Sequence, residues 1–96
     1  MKVYQENGSV KIEGNVTSID DYVNIKNVFQ ELADRGVKEI DIFFLDSVSI
    51  TSSVIGFMLK LVNVDKIRLN VITGDKKLLN LLDELELREV FRARMP

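Results

Sequence analysis

Val3 in the segment Lys2–Glu6, and Val10 and Ile12 in the segment Ser9–Glu13, give short period-two patterns near the start of the chain. Alternation with a period of two is typical of β-strands. The segments flank Asn7 and Gly8, and an Asn-Gly pair tolerates positive φ at both of its positions. The pattern therefore predicts an antiparallel hairpin closed by a type I′ turn.

A helical period follows between residues 18 and 35. Ser18 is a suitable N-cap, and Asp20 and Asp21 place negative charge in the first turn, where the helix dipole favours anions. Gly36 fits the position just after a helix end. The apolar residues that share one face of this predicted helix are Tyr22, Ile25, Val28, Phe29 and Leu32.

The rest of the chain alternates between strand and helix patterns. The predicted elements are a strand at 37–45, a polar loop at 47–53, a helix at 54–62, a strand at 66–73, a helix at 75–85, and a short last strand or an extended tail at 90–94. The order β-β-α-β-α-β-α predicts an α/β fold. We expect a mixed, largely parallel sheet with an N-terminal β-hairpin and about three helices, in a single domain over residues 1–96.

The amino-acid composition argues against several classes of function. The 96 residues carry a net charge of −2 without a basic stripe, which argues against nucleic-acid binding. The absence of His and Cys excludes Ser-His-Asp triads, thiolate chemistry and the common zinc sites. No Gly-rich phosphate loop is present, so we expect no cofactor, no metal site and no catalytic residues. The N-terminus lacks the apolar run of a signal peptide and no segment reaches the roughly 20 apolar residues of a membrane span, so we expect a cytoplasmic protein without membrane insertion.

Three consecutive hydroxyl residues, Thr51, Ser52 and Ser53, stand where a strand pattern gives way to a helix pattern. One hydroxyl would suffice to cap the helix. A phosphate placed there would add about −1.5 to −2 charges beside the positive end of the helix dipole. Capping and a phosphorylation switch both fit these residues.

The helix that follows is apolar over an arc of about 200°, wider than the stripe a surface helix needs. Either this helix is deeply buried or part of the arc faces a partner. Gly56 lies outside the arc, and a glycine inside a helix costs about 1 kcal/mol relative to Ala. It either permits close approach of another backbone or merely eases packing.

Several motifs together resemble the STAS domains of anti-sigma-factor antagonists. The segment 51–61, T-S-S-V-I-G-F-M-L-K-L, resembles the D-S-S-G-L-G motif of that family and the helix after it. The segment 14–17 resembles the G-x-L-D motif before the first helix, and 36–45 resembles the entry to the central strand. The leucine-rich segment 78–87 with Phe91 resembles the closing helix and its L-x-x-x-F ending. The resemblance covers nearly the whole chain.

The resemblance implies a binding module rather than an enzyme. In such proteins a serine after the Asp of the motif is phosphorylated by a partner kinase, which is also the anti-sigma factor, and a phosphatase resets the switch. The unphosphorylated domain binds the kinase. Carried over, Ser52 is the phosphoacceptor. The implied partner-binding residues are Asn15, Thr17, Thr51, Ser52, Ser53, Val54, Gly56 and Phe57, in a monomer or weak dimer.

This chain departs from the family pattern at three positions. Thr51 and Thr17 stand where the motifs have Asp, and Val54 stands where the first has Gly. The preceding loop is about one residue short, which leaves Ser53 and Thr51 as alternative phosphoacceptors. Asp46-Ser47 is a second Asp-Ser pair, but no amphipathic helix follows it directly, so we do not include it in the site. The alternative functions are an accessory or scaffold subunit of a regulatory or transport complex that is never phosphorylated, and a small-ligand binder or enzyme.

Overall fold

Seven elements follow one another in the predicted order in the computed structural model, which describes residues 1–96. The predicted α/β class, with an N-terminal hairpin, a mixed sheet and three helices, is confirmed. The elements are β1 (Lys2–Glu6), β2 (Ser9–Glu13), α1 (Ile19–Asp34), β3 (Glu39–Phe44), α2 (Ser52–Asn63), β4 (Arg68–Thr73) and α3 (Lys76–Glu84).

The four strands form one sheet in the order β1-β2-β3-β4. β1 is antiparallel to β2, whereas β2 with β3 and β3 with β4 are parallel pairs. Each parallel pair is connected through a helix, as parallel pairing requires. The registers align one row of side chains across the sheet, namely Tyr4, Lys11, Phe43 and Ile72.

The helices cover one face of this sheet. Because successive strand residues point to opposite faces, the alternating burial of β2 and β3 identifies the covered side. The core is one cluster to which all three helices contribute, and its largest fully buried side chains include Ile12, Phe29, Phe44, Met58 and Phe91. The other face, which we call the open face, carries Tyr4, Lys11, Asp41 and Phe43 with no helix over them.

The hairpin turn differs from the prediction. Asn7 has a φ of 54°, but Gly8 does not have a positive φ. Type I′ requires positive φ at both central positions, so this turn is not type I′. The carbonyl oxygen of Gly8 accepts a hydrogen bond from the N–H of Asp41 in β3 (3.0 Å), and this contact outside the hairpin orients the second turn residue.

Element ends shift by up to two residues from the sequence pattern. α1 begins after the predicted cap Ser18, and Gly36 has the expected positive φ of 81°. β4 begins at Arg68, two residues later than predicted, because Lys66 has a φ of 57°, which an extended strand does not accept. No helix in the chain is both long enough and apolar enough to cross a bilayer.

The segment at 90–94 is neither a full strand nor a free tail. Residues 90–92 lie in turns, and only Arg94 pairs with the sheet, as a parallel bridge to Ile72. Val71 accepts from the N–H of Arg94 (2.9 Å) and donates to Phe91 (3.1 Å). This C-terminal segment therefore covers the outer edge of β4.

Gly74 marks a close crossing between the ends of two strands. Its N–H donates to the carbonyl oxygen of Phe44 (2.8 Å), and a Cβ at this position would overlap the carbonyl oxygen of Leu45. The contact is between backbone atoms, so rotation of a side chain cannot relieve it. Only a residue without a side chain fits between β3 and the start of α3.

We expect Gly74→Ala to lower the free energy of unfolding by about 1–3 kcal/mol, as overpacking does elsewhere, because the strand ends must separate. The matched control is Gly56→Ala on α2, where an added Cβ meets no atom within 4 Å. That substitution should raise stability by up to about 1 kcal/mol through helix propensity alone. Urea unfolding of the two variants measures both effects, and equal changes of the same sign would contradict this account.

Candidate functional site

Three loops meet at the edge of the sheet where the parallel strands end. β2, β3 and β4 run in the same direction, so the segments that follow them leave from the same side. We call this side the site edge; it holds the loop 14–18, the loop 45–51 and the turn at Gly74. It contains the residues that the sequence predicted for partner binding between 15 and 53.

Three hydrogen bonds join the first two loops into a unit that we call the clasp. The N–H of Gly14 donates to Oδ1 of Asp46 (2.6 Å), and Oγ of Ser47 donates to the carbonyl oxygen of Gly14 (2.6 Å). The N–H of Val48 donates to Oδ1 of Asn15 (2.9 Å). Ser47 is fully buried, which is rare for serine and marks a structural role. Asp46-Ser47, which was not included in the predicted site, therefore has a structural role that its local sequence did not indicate.

Thr17 is held by a second small network at the start of α1. Oγ of Ser18 accepts from the N–H of Asp21 (3.1 Å), and Oδ2 of Asp21 accepts from the N–H of Thr17 (3.1 Å). The hydrogen bond from the Thr17 N–H, aided by Ser18, lowers the pKa of Asp21 below its ordinary value of 3.8, although partial desolvation opposes this. The exposed side chains of Asn15 and Thr17 are therefore presented from a fixed backbone, with Val16 buried between them.

α2 begins two residues before the predicted start, so Ser52 and Ser53 lie in its first turn and not in the loop. Thr51 is the N-cap, and its Oγ1 accepts from the N–H of Val54 (3.3 Å). Within the predicted polar loop at 47–53, Ser49, Ser52 and Ser53 are exposed as expected of a loop, whereas Ser47 and Ile50 are buried and Thr51 is half-buried. Of the three candidate phosphoacceptors, Thr51 is engaged in capping, whereas Ser52 and Ser53 are exposed.

Ser52 and Ser53 point in different directions around the axis of α2. The buried side of α2 comprises Val54, Phe57, Met58 and Leu61. At 100° per residue Ser52 lies opposite the centre of that side, whereas Ser53 lies nearer its border. Ser52 is aligned with exposed Gly56 at i+4 and half-buried Leu59 at i+7. We call this row the outer stripe of α2.

Two of the predicted partner-binding residues lie in the core, which corrects that part of the prediction. Val54 is fully buried and Phe57 is 7% exposed. The ring of Phe57 stacks on Phe29 of α1, with centroids 6.4 Å apart and an interplanar angle of 10°. Both residues hold α2 against the rest of the molecule instead of contacting a partner. The wide apolar arc of α2 is thus mostly explained by burial, with Ile55, Leu59 and Val62 only half-buried.

Comparison with known proteins supports the fold. Neither a scan of protein-family profiles nor a search of curated protein sequences finds a match. Among solved structures, the chain is similar to the NMR structure of the protein TM1081, with a TM-score of 0.69 and 19% sequence identity. The match covers 97% of this chain and 78% of the other. The chain therefore shares the overall α/β fold of that protein.

Removing the buried hydroxyl of the clasp should weaken the fold. We expect Ser47→Ala to reduce the free energy of unfolding by about 1–3 kcal/mol, because the carbonyl oxygen of Gly14 loses its donor at a part-buried position. Ser49→Ala, at an exposed position of the same loop, is the control and should change stability by less than about 0.5 kcal/mol. Denaturant unfolding measures both variants. Equal stability of the two would rule out the clasp as a structural element.

The network at Thr17 should make stability depend on pH at acid values. Because the folded pKa of Asp21 lies below its unfolded value, its contribution is present in full above about pH 4 and is lost as the pH falls through the folded pKa. The stability difference between wild type and Asp21→Asn should therefore shrink as the pH falls below about 4, measured by thermal unfolding. Asp20→Asn is the control, because it removes the same charge from the same turn and leaves the hydrogen bond between the Thr17 N–H and Asp21 in place. An equal loss in both variants at neutral pH would contradict a specific role for that bond.

Proposed function

We propose that this chain is a phosphorylation-regulated partner-switching protein of the cytoplasm, resembling the anti-sigma-factor antagonists of the STAS type. Its unmodified form binds a serine-protein kinase that also serves as the anti-sigma factor. Phosphorylation of Ser52 by that kinase releases the complex, and a phosphatase restores the binding form. The chain itself carries out no catalysis in this proposal.

The observation that carries the proposal is the position of Ser52. Its side chain is exposed, makes no hydrogen bond within the chain and stands at the head of the outer stripe. Gly56 adds no side chain to that stripe, and an atom added there would meet nothing of this molecule within 4 Å. A partner can therefore approach the backbone of α2 closely while touching the Ser52 hydroxyl.

The fold can accept a phosphate at Ser52 at little cost. The backbone N–H groups of Ser52 and Ser53 have no intramolecular acceptor, because Thr51 Oγ1 accepts from Val54 further along the turn. Free N–H groups and the positive end of the helix dipole favour an anion at this position. The penalty of phosphorylation should therefore fall on the complex and not on the isolated domain.

In this proposal the partner docks on the outer stripe of α2, and the apolar side chains there explain why a phosphate would disrupt binding. Half-buried Ile55 and Leu59 lie beside or within the outer stripe and give it an apolar character. A partner that covers them must also remove water from the phosphate next to them, which costs free energy unless new donors replace the water. The clasp brings Asn15 to the same edge, so the surface extends from α2 to the loop after β2.

We expect Ser52→Asp to weaken binding of the partner by about 5- to 150-fold, the range of a typical coupling between sites. Ser52→Ala should retain binding and abolish phosphorylation. Ser53→Asp is the matched control, because it adds the same charge to the same turn away from the outer stripe. The partner is isolated by affinity capture with the unmodified chain from lysate of the source cells, identified by mass spectrometry, and titrated against each variant.

Thermal unfolding of the variants separates the switch from the fold. If Ser52→Asp unfolds the domain, the serine is structural and the proposal fails. If the captured partner binds all variants equally and no phosphate is found on residues 51–53, the chain is better described as the unphosphorylated accessory or scaffold subunit. If the phosphate is found on Ser53 or Thr51 and controls binding, the switch stands with a different acceptor.

A further inference from the structure

The two edges of the sheet differ in how their backbone groups are satisfied. The outer edge of β4 is covered by the C-terminal segment, which bonds to Val71 and Thr73. No backbone bond reaches the outer side of β1. An uncovered edge strand is a template for pairing with another strand.

The pairing inside the sheet identifies which groups of β1 face outward. The carbonyl oxygen of Ile12 accepts from the N–H of Leu45 (2.9 Å), so Ile12 bonds toward the β3 side. Its partner across the hairpin, Val3, therefore forms a pair without hydrogen bonds. Pairs with and without hydrogen bonds alternate along an antiparallel ladder, so Gln5, opposite Val10, also forms a pair without hydrogen bonds. The N–H and C=O groups of Val3 and Gln5 thus point away from the sheet.

We propose that a second copy of this chain pairs with that edge, β1 against β1 in antiparallel orientation, with Tyr4 opposite Tyr4 of the other copy. In this register Val3 lies opposite Gln5 of the other copy and the two exchange both backbone hydrogen bonds. Two-fold symmetry repeats the exchange, which satisfies all four outward groups at each strand. The two four-stranded sheets become one continuous sheet with the helices on the same side.

Charge complementarity supports this register over the others. Lys2 and Glu6 are placed symmetrically about Tyr4, so each Lys2 faces Glu6 of the other copy. Both are exposed side chains of the open face and form pairs without hydrogen bonds, in which opposed Cα atoms are only about 4.5 Å apart. A shift by two residues loses both ion pairs. A shift by one residue places Val3 opposite Tyr4 or Glu6 of the other copy. The backbone groups of those two residues already bond to β2, so Val3 would find no partner for its outward N–H and C=O groups.

The contact is small. A strand of five residues buries less than the roughly 1,200 Å² typical of stable complexes. We therefore expect a concentration-dependent dimer, independent of the function proposed for the site edge.

Charge reversal tests the register. Lys2→Glu and Glu6→Lys, each made in the untagged full chain, should weaken dimerisation by about tenfold, because each variant opposes like charges twice. The two single variants mixed together should form a heterodimer, since every opposed pair is then of opposite sign. The double variant should dimerise like wild type. Sedimentation equilibrium over a range of concentrations measures all four samples.

Amide hydrogen exchange tests the strand directly. With rising protein concentration the N–H groups of Val3 and Gln5 should become protected, whereas that of Tyr4, already bonded to β2, should not change. Gln5→Pro removes an outward donor, which edge strands tolerate, and should abolish the dimer. A chain that is monomeric at every concentration, or a dimer indifferent to the charge reversals, would overturn the proposal.

Discussion

Parallel pairing of β2, β3 and β4 is the constraint on which the site edge depends, because it directs the ends of all three strands to one side. Strands in parallel cannot be joined by tight turns, so α1 and α2 must return the chain across the sheet. The polar segments 14–18 and 45–51 are consequently neighbours in space although they are far apart in sequence. The clasp converts this proximity into a fixed arrangement, and the crossing at Gly74 adds the third loop.

The position of α2 depends in turn on its buried side. Phe57 stacks on Phe29 of α1, and the Nζ atom of Lys60 lies 5.3 Å from the centre of the Phe57 ring. The stacking on Phe29 fixes the rotation of α2 about its axis, whereas the contact between Lys60 and Phe57 lies within the helix and covers the ring. Because helical residues share a fixed angular spacing, burying Val54 and Phe57 on one side sets Ser52 outward on the other. The serine is thus presented by the core rather than by a flexible loop.

Periodicity, together with the Asn-Gly turn of the hairpin, was sufficient to predict every regular element, because all of them except the edge strand β1 bury an apolar face in a common core. Helix starts and turns were less well predicted, since hydrogen bonds decide them. The N-cap at Thr51 moved the start of α2 to Ser52, and the bond from Asp41 to Gly8 accompanies a turn in which only Asn7 has a positive φ, in place of the predicted type I′. The clasp could not be read from local sequence, because Ser47 and Gly14 are 33 residues apart. A serine next to an aspartate at a strand end was the only local sign of it.

The C-terminal segment that covers β4 leaves the sheet with a single open edge. Sheets with two open edges can add molecules on both sides without limit and grow into fibres. Here each molecule offers one edge only, and any association through it is complete after one partner. Residues 91–94 therefore act as a terminator of sheet growth. Loss of these residues would expose a second edge to other molecules, in addition to removing the buried side chain of Phe91 from the core.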